Sequence, residues 1–305
     1  MRPLRFIPPG HLVEVTARTI HGRLLLRPDH PTCDLILGVL GRAQALYEMR
    51  IVAFVFLSNH YHLLLLPDSP QQLADFMAYV GSNIAREVGR IHQWRDKFWA
   101  RRYRAIPITN EETAQIARLQ YLVAQGTKEG LVARARDWPG PSSTRALLEG
   151  ASIQGTWFDR TAEYRARRKG VECSLRDFAS TESVTLTPMP CWAEWPEARR
   201  RKAVRDLLAV IEREAEIERA GRPALGREAI LRQAPHQMPG QSKRSRAPAF
   251  HAATRAARQL LREAYRAFVN AFWRASELLR AGVRSVEFPP GSFPPALPYV
   301  PILST

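Results

Sequence analysis

Cysteine is scarce in this chain. Cys33, Cys173 and Cys191 are the only three among 305 residues, and no two form a CxxC pair. A disulfide framework and a cysteine zinc knuckle are therefore not expected. Acidic residues are also few, 29 against 45 Lys and Arg, which leaves a formal net charge of +16. Long apolar runs are missing too. The longest, residues 51–57, has the length of a strand and falls far short of the ~20 residues that cross a bilayer. The opening MRPLRFIPPG has no apolar stretch of the kind a secretory leader carries, so no signal peptide and a cytoplasmic location are expected.

What is present is a chain with 45% hydrophobic residues, enough for a real core. The excess of Arg and Lys points to a polyanionic partner, because basic side chains gain affinity by displacing counterions from phosphates. The excess is uneven. Residues 1–150 hold 19 basic and 13 acidic side chains, net +6, and the remainder is net +10. The second half is thus a candidate DNA-contacting region in its own right.

Residues 11–20 read as a strand, dense in β-branched residues and preceded by Pro8-Pro9-Gly10. Residues 34–47 carry apolar positions at helical spacing. Residues 49–57 and 60–67 read as two strands joined by the turn pair Ser58-Asn59. Residues 70–92 follow as a helix, with Ser69 and Pro70 in the positions favoured at its start. A fourth strand over 103–108 and a helix over 109–125, capped by Thr109 or Asn110, complete the series. The order β-α-β-β-α-β-α predicts an α+β fold: a ferredoxin-like, split βαβ unit with an antiparallel sheet and helices on one face.

The segment Trp138 to Ser143 breaks the chain, so a first domain is placed at 1–148 and a basic, mainly helical extension at 149–305. In the extension, residues 193–219 and 251–282 read as helices, the second amphipathic. GQSKRSRAPAF (240–250) reads as a basic loop. The tail EFPPGSFPPALPYVP holds too much proline for a helix or a central strand.

Chemistry concentrates in the first part. His60 and His62 alternate on a strand, so both imidazoles face one side with Cα atoms roughly 6.5–7 Å apart, close enough to share a metal ion. An isolated pair of this kind more often marks two partly buried histidines at a strand edge. Tyr121 and Gln125 lie four apart on one helix face. A tyrosine hydroxyl can attack a phosphodiester, but its ordinary pKa of about 10 demands a nearby metal or base. The Gln125 amide could supply a third metal ligand. A packing aromatic and a polar residue near a helix end are the plainer readings of the two. Lys97, Trp99, Arg101, Arg102 and Arg104 interleave basic and aromatic side chains in KFWARRYR, a pattern suited to phosphates and unpaired bases, or to an edge strand with its charges in solvent.

Together these segments resemble a known family. LSNHYHLLLLP resembles the histidine-hydrophobic-histidine (HUH) strand of insertion-sequence 200/605-type single-tyrosine transposases. FWARRYRAIPI resembles the stretch before their tyrosine helix, and YLVAQGTKEGLVARARDWPGPSS resembles their tyrosine block. The nearest subgroup is the REP-associated tyrosine transposases, and the resemblance covers roughly residues 5–145. Where the family commonly has Asn-Pro, this chain has Gln125-Gly126. The resemblance implies a ferredoxin-like domain that nicks and rejoins single-stranded DNA beside a hairpin through a 5′-phosphotyrosine. It implies His60, His62 and Gln125 as ligands of Mg²⁺ or Mn²⁺, and Tyr121 as nucleophile. It leaves monomer and homodimer open, and a non-catalytic hairpin-binding descendant remains the alternative.

Overall fold

The computed structural model describes residues 4–240 and 248–296. Its elements run β1 (Val13–Arg18), α1 (His30–Tyr47), β2 (Arg50–Phe56), β3 (His60–Leu66), α2 (Pro70–Ile91), β4 (Arg104–Pro107) and α3 (Glu112–Val123). The first six form one antiparallel sheet in the order β2-β3-β1-β4 with two intervening helices, the split βαβ arrangement that the sequence predicts. A bulge in β2 shifts the register between Ile51 and Ala53.

Local chemistry explains where the helices start. The Asp29 side chain accepts from Thr32 N at 2.9 Å, so α1 begins four residues before the apolar periodicity does. Ser69 accepts from Gln72 N at 3.1 Å and Pro70 opens α2, as expected. The helix expected over 109–125 is instead two. It begins after Glu111, not at Thr109 or Asn110, and α3 gives way at Ala124 to the short α4 (Gln125–Lys128).

Strand β3 shows why the sheet is apolar on both sides. Tyr61, Leu63 and Leu65 join the cluster beneath α1 and α2. Leu64 and Leu66 join a second cluster with Leu119, Leu122 and Trp138. The two helices of the split βαβ unit share one face, and the opposite face is covered as well, by α3 and by later parts of the chain. An almost unbroken apolar strand is the pattern of a sheet buried on both faces.

The remaining elements are α5 (Thr144–Glu149), β5 (Gln154–Phe158), α6 (Arg160–Arg168), β6 (Ala179–Ser183), α7 (Glu197–Arg219), α8 (Arg227–Arg232) and α9 (Arg255–Arg280). The region after residue 148 is mostly helical, as read from sequence, with one addition. Strands β5 and β6 pair as a two-stranded ribbon that lies on α1. The approach is closest at Gly38 and Gly155, where a Cβ on Gly38 would meet Thr156 O at 2.1 Å. Val204, Leu208 and Ile211 of α7 enter the second apolar cluster, and Ile153 and Val184 enter the first. The extension therefore shares both cores with the sheet. The loop reading at 240–250 falls largely on 241–247, and the tail reading partly on 297–301; both stretches lie outside the described residues. Among the described residues no helix is long and apolar enough to cross a membrane.

Candidate active site

Strand alternation places His60 and His62 on the face covered by α3. Their rings are 5.2 Å apart, nearly perpendicular. Tyr121 projects from α3 and packs its ring edge-to-face on His62 at 5.5 Å. Gln125 is buried one turn later; its amide donates to Tyr121 O at 3.0 Å, and its side chain lies against His60. The structure thus gathers Tyr121, His60, His62 and Gln125 into one cluster.

Each imidazole has its Nδ1 engaged. His62 Nδ1 lies 2.8 Å from Glu14 Oε1, and His60 Nδ1 lies 2.6 Å from Asn59 Oδ1. Asn59 donates its own amide nitrogen to Gly22 O at 3.1 Å, which turns Oδ1 toward His60. Both partners are acceptors, so the network assigns the proton to Nδ1 in each ring and leaves the Nε2 lone pairs available. Burial drives the His60 pKa down to about 3, helped by His62 and Arg18, and the Gln125 contact opposes the drop. A neutral imidazole oriented by an outer acceptor is the form that binds a metal. Two such nitrogens with an amide oxygen fit a divalent ion, Mn²⁺ better than the oxygen-preferring Mg²⁺. Among the described residues no group of three or more His, Cys, Asp or Glu could hold a metal.

Glu14 ties the site together. This residue is 3% exposed on β1, where it faces the same side as His62. Burial alone would raise its pKa, but His251, His62 and Arg118 outweigh that and hold the carboxyl well below the ordinary range. Arg118 contacts both carboxylate oxygens, at 3.1 and 3.0 Å, and sets its guanidinium over the Tyr121 ring at 4.0 Å from the centroid. The Lys128 ammonium lies 5.2 Å from the same ring. Two cations thus lie against the Tyr121 ring.

Sequence reasoning missed Glu14, Arg118 and His251. Glu14 had a signal, a carboxylate among the apolar residues of β1. Arg118 had one too, since it lies three residues before Tyr121 on the same helix. His251 had none, because its role depends on a contact between distant parts of the chain.

The basic and aromatic segment divides. Arg104 pairs with Thr16, which pairs with His62, so Arg104 is exposed on the histidine face of the sheet. Trp99, Arg101 and Arg102 instead border a cavity of about 380 Å³ with Arg5, Tyr61 and Tyr103, on the side reached by Tyr61. Trp99 is committed to packing there: its indole donates to Gly81 O at 2.8 Å, and its ring meets Tyr61 edge-on at 5.4 Å. Lys97 is exposed, outside both groups.

A split βαβ sheet with paired imidazoles on a central strand, and a tyrosine on the following helix, is the class of site expected of single-tyrosine HUH transposases. Residues 32–125 match the family described as "Transposase IS200 like". The match begins in α1, ends on Gln125 and includes His60, His62 and Tyr121; it spans about a third of the chain. Two solved structures are similar. One is a REP-associated tyrosine transposase bound to a REP hairpin (18% identity, 49% of this chain and 87% of that one, TM-score 0.41). The other is a Deinococcus radiodurans R1 protein assigned as a transposase (19% identity, 39% of this chain and 95% of that one, TM-score 0.29). A search of curated proteins found no match.

Proposed function

We propose that this protein is a transposase of the single-tyrosine HUH type that cleaves and rejoins single-stranded DNA beside a hairpin, with Tyr121 as nucleophile and a divalent ion held by His60, His62 and Gln125. The observation that carries the reading is the convergence of those four side chains, with the Tyr121 ring 5.5 Å from His62. Residues 1–148 hold this chemistry, and the basic extension 149–305 adds DNA contacts.

The Tyr121 hydroxyl attacks the scissile phosphorus in line. A bond forms between the phenol oxygen and phosphorus as the bond to the 3′ oxygen breaks. The phenol gives up its proton and the departing 3′ oxygen gains one, which leaves a 5′-phosphotyrosine and a free 3′ hydroxyl. Because the phosphodiester bond is exchanged and not hydrolysed, a second 3′ hydroxyl can reverse the step and join strands. Held by His60, His62 and Gln125, a divalent ion such as Mn²⁺ or Mg²⁺ would supply charge neutralisation at the scissile phosphate. Arg118 stabilises the developing phenolate over whose ring it sits. Arg104, on the same sheet face, is positioned for the DNA backbone.

The test is a nicking assay on a single-stranded hairpin oligonucleotide with Mn²⁺, read on a denaturing gel. Wild type gives a covalent protein–DNA adduct, and EDTA removes both the nick and the adduct. Tyr121→Phe forms neither, with hairpin binding retained. Nicking by Tyr121→Phe, or nicking without an adduct, assigns the chemistry to water and sinks the proposal. Hairpin binding by wild type without any nick leaves a non-catalytic binding protein.

A further inference from the structure

The Glu14 carboxylate is reached by three side chains, and one of them comes from far along the chain. His251 Nε2 lies 2.7 Å from Glu14 Oε2, in ion-pair contact but off the direction of a hydrogen bond, while Oε1 faces His62 Nδ1. The His251 side chain is only 12% exposed. This placement is built by the backbone. His251 N donates to Pro107 O at 3.0 Å, and Thr109 N donates to His251 O at 2.9 Å, so the residue pairs in parallel with Ile108 just past the end of β4. Glu111, at the start of the tyrosine helix, accepts from Ala253 N at 2.8 Å and from Thr254 N at 3.2 Å. Thr254 in turn caps α9 through Ala257 N. Helix α9 is moored by Phe268 against Phe6, 5.2 Å between ring centroids. The four residues 251–254 are thus fixed at both ends beside the site, and the His251 side chain meets the site's carboxylate.

We propose that His251 is a positioning residue of the active site: by holding Oε2 of Glu14 it keeps Oε1 on His62 Nδ1, so that His62 presents Nε2 to the metal, and the C-terminal extension thereby completes a site that the first 125 residues begin. The metal part of this statement rests on the reading under "Proposed function"; the orientation of His62 does not. A buried carboxylate with one oxygen under-bonded reorients to recover partners. Without His251, Oε2 keeps Arg118 alone, and the carboxylate is free to turn toward the guanidinium at the expense of His62. Outer partners of this kind commonly change metal affinity 10–100-fold, or about that range, when removed.

The experiment uses the full chain as wild type, His251→Ala and His251→Gln, with ¹⁵N-labelled imidazoles. The first readout is the His62 tautomer by NMR without metal or DNA, assigned by its loss in His62→Ala. Wild type holds His62 with the proton on Nδ1. His251→Ala becomes a mixture of tautomers, and His251→Gln, whose amide can still donate to Glu14, restores most of the wild-type form. The second readout is Mn²⁺ affinity, expected to fall about tenfold in His251→Ala and to recover in His251→Gln, with hairpin affinity unchanged in both. A His62 tautomer indifferent to both substitutions overturns the proposal, as does a glutamine variant no better than alanine. Should His251→Ala fail to fold, the comparison of wild type with His251→Gln decides: a Gln variant with a mixed His62 tautomer overturns the proposal. Should wild type neither bind Mn²⁺ nor nick DNA, the catalytic reading falls, and the tautomer comparison still judges His251.

Discussion

The two faces of the same strand do different work. On β3, Tyr61, Leu63 and Leu65 face α1 and α2 in a wholly apolar layer, while His60 and His62 alternate with them toward α3. Further along that second face the apolar pattern resumes at Leu64 and Leu66. One end of an otherwise ordinary core surface has therefore been made polar, and its groups contact one another: His60 with Asn59, His62 with Glu14, Glu14 with Arg118 and His251. The apolar face holds the fold by burying area. The polar end gives up some of that gain to fix the direction of a few nitrogen and oxygen atoms.

Adjacent residues of β3 separate the two roles most sharply. Leu63→Ala opens a cavity at a fully buried position and should cost about 2–5 kcal/mol in chemical denaturation, with nicking per folded molecule unchanged. His62→Ala should cost about 1–3 kcal/mol, because it leaves the buried Glu14 carboxylate short of a partner, and abolish metal-dependent nicking. If Leu63→Ala loses nicking while still folded, or His62→Ala retains it, the division between the faces is wrong.

How far this could be read in advance follows from range. The strands, the first helices and the histidine pair are local patterns of period 2 or 3.6, and all were legible. Tyr121 and Gln125 were legible as a one-turn pair, although the helix breaks between them at Ala124. The cover on the second sheet face was written into the unbroken apolar run of β3 but needs α3 and α7 to supply it. The ribbon of β5 and β6 was not legible. Its strands are short, β6 is largely exposed, and its docking depends on two glycines, Gly38 and Gly155, that become meaningful only when the chain brings them together. His251 is the same case in the active site: a residue without local pattern, made specific by its neighbours in space.

The ribbon tests the apolar side of the comparison further. Gly38→Ala forces a methyl group into the backbone of Thr156, and Gly155→Ala forces one into the backbone of Asp34 and Gly38. Each should cost about 1–3 kcal/mol in denaturation. Because both lift the ribbon off the same stretch of α1, the double variant should cost less than the sum. Strict additivity would mean that the two glycines do not share one contact.

The smallest effect concerns the clasp that holds the C-terminal segment against the polar side. Hydrogen bonds from Thr254 and Thr109, and from the backbone of residues 253 and 254, bring the Glu111 pKa down to about 2 from an ordinary 4.5. Between those values the unfolded chain binds a proton that the folded one refuses, so stability rises with pH across that window. The contribution is complete above pH 4.5 and is lost as the pH falls toward 2. Glu111→Gln has no such proton to exclude. Its melting temperature should lie below that of wild type at pH 6, and the gap should narrow steadily as both are acidified below pH 4.5. The change is modest because the carboxylate is reached by solvent, and added salt should reduce it. Parallel melting curves for the two proteins from pH 6 to pH 3 would show that the clasp contributes nothing through its charge, and that the segment carrying His251 is held by β4 and α9 alone.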